Sequence, residues 1–146
     1  VTAAAPAKLY SPELLALATG LAAYPFDPAL PLSAEARSRT CGSSITLGLE
    51  LDDNDCIDRI GMQVSACAIG QASAMLLASH ATGSAAADIA AASDALEVWL
   101  TGEGELPDWP GLAAIAPARA HPGRHGALLL PWKAACLALS SAASGG

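Results

Sequence analysis

The sequence predicts an α+β fold, a small antiparallel sheet of about three strands packed against about four to five helices. Three observations lead there. A helical apolar stripe opens the chain, period-two alternation takes over after residue 44, and Ala- and Leu-rich helical segments follow from Cys67 onward. Helix, then strands, then helices is the α+β order.

The first element, "SPELLALATGLA" (11–22), has Ser11 as N-cap, Pro12 in the first turn and Glu13 at the positive end of the helix dipole. Leu14, Leu15, Leu17 and Leu21 form its apolar stripe. "YPFDPALPLS" (24–33) carries three prolines, so it is a loop draped over the body. "AEARSR" (34–39) reads as a short strand. "SITLGLELDD" (44–53) alternates Ile45, Leu47, Leu49 and Leu51 against Ser44, Thr46, Gly48 and Glu50, the mark of a half-buried strand. After the acidic turn "DDND", "CIDRIGMQV" (56–64) is a second long strand with a less clear apolar face.

The helical half begins with residues 67–83, closed by Gly83 as C-cap, and continues with 84–102, capped by Ser84 and ended by Gly102. Ile89, Ser93, Leu96 and Leu100 share one face of the latter. A Pro/Gly-rich connection (102–111) leads to a short helical turn at Leu112–Ile115. The last helix, 122–139, contains Pro131, which should kink it or mark its true start. Frayed ends are expected outside a core of about 9–139, and residues 1–146 read as a single domain.

Composition narrows the function. Of 146 residues, 53% are hydrophobic and only 14% charged, which argues for a compact body. Much of the apolar content is Ala and aromatics are 4%, so little area is buried per residue and dimerisation would help. A formal net charge of −7 with only seven Lys and Arg repels phosphates, which argues against nucleic-acid or anionic-membrane partners. No apolar run approaches the ~20 residues of a membrane span, and no secretory signal is evident. A cytoplasmic location is expected, with the four cysteines reduced.

Several segments together resemble one family. They are "LYSPELLALA", "RTCGSSITLGLELDD", "CIDRIGMQVSACAIGQASAMLL", "LEVWLTGEGELPDWPGLAAI" and "HPGRHGALLLPW". In this order they resemble the U-type iron–sulfur cluster assembly scaffolds, the family of NifU N-terminal domains, IscU and SufU, over about residues 9–139. The stretch around Cys67 is the most specific, resembling the family's Gly-Cys-Ala-Ile-Ser-x-Ala-Ser-x-Ser helix start. The spacing before the last helix and Trp132 favour the SufU-type branch.

The resemblance implies a scaffold or sulfur acceptor rather than a self-standing enzyme. In the family, three cysteines and one aspartate converge at one end of the molecule and bind zinc or a nascent iron–sulfur cluster. Thiolates are the soft ligands these groups select. Cys41 and Cys67 occupy two of the four ligand positions. Ser43 stands where the family has aspartate, Ala127 where it has the third cysteine, and Gly126 where many members have Lys or His. The family's His-Tyr-x-Asn-Pro-Arg-Asn loop is absent. Implied partners are a cysteine desulfurase and other cluster-assembly proteins.

Two thiols fall short of the four ligands of a structural zinc site. His125, two residues from Ala127, is a candidate third ligand, and a symmetric homodimer could pool two pairs as Cys₄. The same two thiols could form a disulfide if their Cα atoms lie within about 7 Å. The alternative to a degenerate metal or cluster site is an interaction or regulatory module that keeps the fold to bind a desulfurase without metal. Cys56 and Cys136 read as packing residues, and Asp52, Asp53 and Asp55 as a solvated turn rather than a Ca²⁺ loop. No nucleotide-binding or hydrolase motif is present.

Overall fold

The computed structural model describes residues 11–39 and 42–145. Helix α1 (Pro12–Ala18) starts as expected, with the Leu14 N–H donating to the Ser11 hydroxyl at 3.1 Å. It is shorter than its apolar stripe, because the chain breaks at Thr19–Gly20 and Leu21–Ala23 forms a separate 3₁₀ turn.

Strands β1 (Leu32–Arg37), β2 (Ser44–Leu51) and β3 (Ile57–Ser65) form one antiparallel sheet in the order β1-β2-β3. β1 starts two residues earlier than expected, pairing Leu32 with Leu49. The inner face carries Ile45, Leu47 and Leu49, all at most 2% exposed, beside Ala34 and Ala36 of β1. The unclear face of β3 has a cause. Glu50 pairs with Arg59 but Leu51 pairs with Ile57, so Asp58 is an extra residue. That bulge lets Ile57 face the core together with Ile60, Met62 and Val64, which have the opposite parity.

The outer face is covered by the proline-rich segment 24–31. Gly48 and Gly61 lie opposite each other on β2 and β3. A Cβ on Gly61 would fall 2.1 Å from the Pro25 carbonyl oxygen, and one on Gly48 would fall 2.9 Å from the Leu30 side chain. Two facing glycines thus make the bed on which this strap lies. The Met62 N–H donates to the Tyr24 carbonyl at 2.9 Å, and the exposed Arg59 pairs with Asp27 at 3.1 Å.

Helix α2 (Ala68–His80) and α3 (Ala86–Leu100) follow. Gly83 does not cap α2, which ends at Ala81. Its positive φ (91°) instead turns the chain so that the Gly83 N–H donates to the Ile57 carbonyl. The N-cap of α3 is Ala85, not Ser84. The Ser84 carbonyl accepts from the Ile57 N–H, and the Asp88 carboxylate accepts from the Ala85 N–H at 2.9 Å. Ile89, Ser93, Leu96 and Leu100 are buried, as their spacing predicts.

The turn expected at 112–115 is a longer 3₁₀ segment, Leu112–Ala120, followed by another at Pro122–Arg124. Helix α4 (His125–Gly145) runs through Pro131 and continues past residue 139, so the tail expected to fray is helical to Gly145. α4 packs on the inner face of β1 and β2, with α2 and α3 beside it. No helix among the described residues is long and apolar enough to cross a membrane.

Candidate functional site

Ser43, Cys67 and Ala127 fall at one end of the molecule, and the ladder explains why. Ser44 at the start of β2 pairs with Ser65 at the end of β3. Continuing that register sets Ser43 beside Ala66, next to Cys67. Ser43 is 4% exposed, and its carbonyl accepts from the Ser38 N–H at 2.9 Å, which closes the β1–β2 hairpin. Gly42 provides the positive φ (72°) that the hairpin end requires. Cys41 lies outside the described residues.

Cys67 is the N-cap of α2, with extended backbone (φ −64°, ψ 172°), and its carbonyl accepts the Gln71 N–H at 3.0 Å. Its thiol is half-buried and makes no capping bond. The Gln71 side chain bonds the Ala66 carbonyl at 3.0 Å, fixing the strand-to-helix junction.

Ala127 sits in the first turn of α4 and is fully buried. A Cβ on Gly70 would stand 2.7 Å from the Ala66 Cβ and 3.2 Å from the Ala127 Cβ, so Gly70 is what lets α4 come this close to α2. Pro131, four residues on, has no N–H to give the Ala127 carbonyl, and that oxygen lies against Gly70.

One turn further, Ser73 clamps the two helices. Its hydroxyl donates to the Leu128 carbonyl at 2.6 Å and accepts from the Trp132 indole N–H at 2.9 Å, with Ser73 and Trp132 fully buried. The contacts 70 to 127 and 73 to 132 advance together, so α2 and α4 run in the same direction. Their N-termini meet at this end, so the positive ends of two helix dipoles point toward it. Sequence reasoning missed the parts played by Gly70 and Ser73. A small-residue spacing in "CAIGQAS" was the available signal, but it becomes informative only once α4 is known to lie there.

His125 begins α4 with its Nε2 donating to the Arg119 carbonyl at 2.9 Å. It lies in a surface groove with Leu100, Thr101, Pro117 and Pro122. Only Nδ1 remains to meet a metal. Among the described residues, no three His, Cys, Asp or Glu side chains cluster as a metal site. Among the described residues at this end, Ser43, Cys67 and Ala127 offer one thiol and one hydroxyl, which does not fit a four-ligand metal or cluster, because Ala127 has no donor.

Cys136 lies on α4, its side chain turned to Ser93 of α3. Burial pushes its thiol up from the ordinary value, opposed by the Ser93 hydrogen bond and Lys133, and reinforced by Asp94. Cys56 lies at the exposed hairpin, its thiol directed at the Asn54 carbonyl.

No protein-family model and no curated protein matches the chain. Solved structures do. A NifU-like protein (N-terminal) from Brucella abortus, described as nitrogen-fixing, superposes with a TM-score of 0.88 at 26% identity, over 94% of this chain and 96% of that one. The chain has the NifU/SufU scaffold fold. A protein from the thermophile Fervidobacterium islandicum AW-1, designated a candidate iron–sulfur cluster assembly scaffold for the SUF system, gives 0.79 at 22% identity over 90% of this chain and 96% of that one. A hypothetical protein gives 0.66 at 20% identity over 87% and 96%. The expected α+β architecture with a three-stranded antiparallel sheet is thereby established.

Proposed function

We propose that this chain acts in iron–sulfur cluster assembly as a scaffold-type protein with a reduced site. Cys67 and Cys41 supply two thiols, and any further ligands come from outside the chain. The observation that carries this reading is the placement of Cys67 at the N-cap of α2, against the N-terminus of α4, on a NifU/SufU fold. With Ala127 and Ser43 in the other two positions, the chain is better suited to receive sulfur than to hold a finished cluster. The chemistry is a sulfur transfer. The thiolate of Cys67 attacks the outer sulfur of a desulfurase persulfide, the S–S bond breaks, and the desulfurase cysteine leaves as thiolate.

The test is anaerobic incubation with a cysteine desulfurase, cysteine and ferrous iron, followed by intact-mass analysis and visible absorption. Added sulfur on Cys67 or Cys41 is the expected result. Absence of added sulfur and of thiolate-to-iron absorption at every protein concentration would overturn the reading.

The full burial of Ala127 favours a second reading, an interaction module that binds a desulfurase without metal. Undiminished capture of a desulfurase by the Cys41→Ser/Cys67→Ser variant would support it, and loss of capture would count against it.

A further inference from the structure

β1 is an edge strand, and no described element pairs with its outer side. The opposite edge differs, since β3 is met by the Tyr24 carbonyl and by residues 83–85. The Ser38 N–H bonds the Ser43 carbonyl, so even-numbered residues of β1 bond to β2. The backbone N–H and C=O of Ser33, Glu35 and Arg37 therefore point to the open edge. Leu32–Arg37 contains no proline, no bulge and no inward charge, the usual devices that blunt an edge. Glu35 and Arg37 are both exposed, and neither makes an ion pair among the described residues.

We propose that β1 pairs with β1 of a second copy of this chain about a two-fold axis at Ala36, joining two sheets into one of six strands. Charge selects this register. Centring the pair on Glu35 opposes two glutamates, and centring it on Arg37 opposes two arginines. Centring on Ala34 opposes Ser33 to Glu35 and leaves Arg37 facing Pro31. Centring on Ala36 sets Glu35 opposite Arg37 of the second copy, twice, with four backbone hydrogen bonds between their outward groups.

Helix α4 fits the same arrangement. It lies over β1 and β2, so with strands about 4.8 Å apart the two α4 axes stand about 10 Å apart, the spacing of packed helices. Trp132 faces α2, which places Leu130 on the opposite side of α4, toward the second copy. On the inner face β1 carries Leu32, Ala34 and Ala36, and the two alanines nearest the proposed axis leave room there for both helices.

This dimer stands apart from the cluster-assembly reading. β3 is two strands inward from β1, so the two Cys67 ends lie about 24 Å apart, too far for their thiols to share one metal.

Sedimentation velocity of the full chain from micromolar to several hundred micromolar tests the proposal. The wild type should dimerise, and Glu35→Arg and Arg37→Glu should each weaken dimerisation by about tenfold or more. Mixing these two variants should restore a dimer, because every new pair is then of opposite charge. The double swap Glu35→Arg/Arg37→Glu should dimerise alone. Unchanged far-ultraviolet circular dichroism checks that the variants fold. A wild type that stays monomeric, single variants that dimerise like wild type, or a mixture that stays monomeric would each overturn it.

Discussion

Replacing Ser73 by Ala removes one oxygen and two hydrogen bonds from the contact between α2 and α4. The Ser73 hydroxyl lies 2.6 Å from the Leu128 carbonyl and 2.9 Å from the Trp132 indole nitrogen, in a fully buried setting. The lost bond to Leu128 is worth about 0.5–1.5 kcal/mol, and the indole N–H stranded in the core costs about 1–3 kcal/mol, so Ser73→Ala should lose about 2–4 kcal/mol. Trp132→Phe removes the donor but strands nothing, because the hydroxyl still donates to Leu128. Its cost is one bond plus the space left by the smaller ring. In the double variant no indole N–H is orphaned, so the two losses should fall short of their sum by about 1–2 kcal/mol. Urea unfolding followed by far-ultraviolet circular dichroism measures all four proteins. Additivity within about 0.5 kcal/mol would refute the clamp, as would a Ser73→Ala cost below that figure.

Ser43→Asp/Ala127→Cys restores the carboxylate and thiol that the resemblance implies at these positions. If the four positions converge, Co²⁺ titration should give thiolate absorption stronger than in wild type, while the metal-free variant loses about 1–3 kcal/mol to crowding against Gly70. Gly61→Ala should cost about 1–3 kcal/mol or more by lifting the strap off the sheet, and Gly48→Ala less, because it meets the flexible Leu30 side chain rather than a backbone carbonyl. Urea midpoints rank the two. The Cys136 thiol is raised above its ordinary 9.0 chiefly by burial, so the folded chain holds that proton longer than the unfolded one. Its contribution is present below pH 9 and is lost as pH rises from there through the higher folded value, so stability falls. Cys136→Ala should flatten that decline, read as unfolding midpoints across alkaline pH.

Local signals are legible in the sequence where local chemistry decides. Ser11 and Pro12 start α1 because the cap needs only its own turn, and β2 alternates cleanly because its inner face alone packs on α4. The face of β3 was obscure because the Asp58 bulge changes its parity midway, which a period count cannot register. The use of Gly48 and Gly61 depends on facing each other under a segment far away in sequence. Pro131 suggests a kink or a later helix start, yet α4 begins before it and runs through it in its second turn. At the site, Cys67 was placed correctly at a helix start. The engagement of His125 by Arg119 depends on how the 3₁₀ segment before α4 folds back, which no spacing in the sequence encodes.

The Trp132 ring has a second neighbour. Trp109 meets it edge to face, with ring centroids 4.9 Å apart and planes at 86°, and donates its own N–H to the Leu76 carbonyl of α2. Two indoles so close and so oriented couple optically, giving near-ultraviolet circular dichroism and quenching that respond to small changes in their angle. Since Trp132 is tied through Ser73 to the turn after Gly70, a metal, sulfur or protein arriving at Cys67 should register in a chromophore pair already built into the chain. Events at the site can be followed by light, without a label.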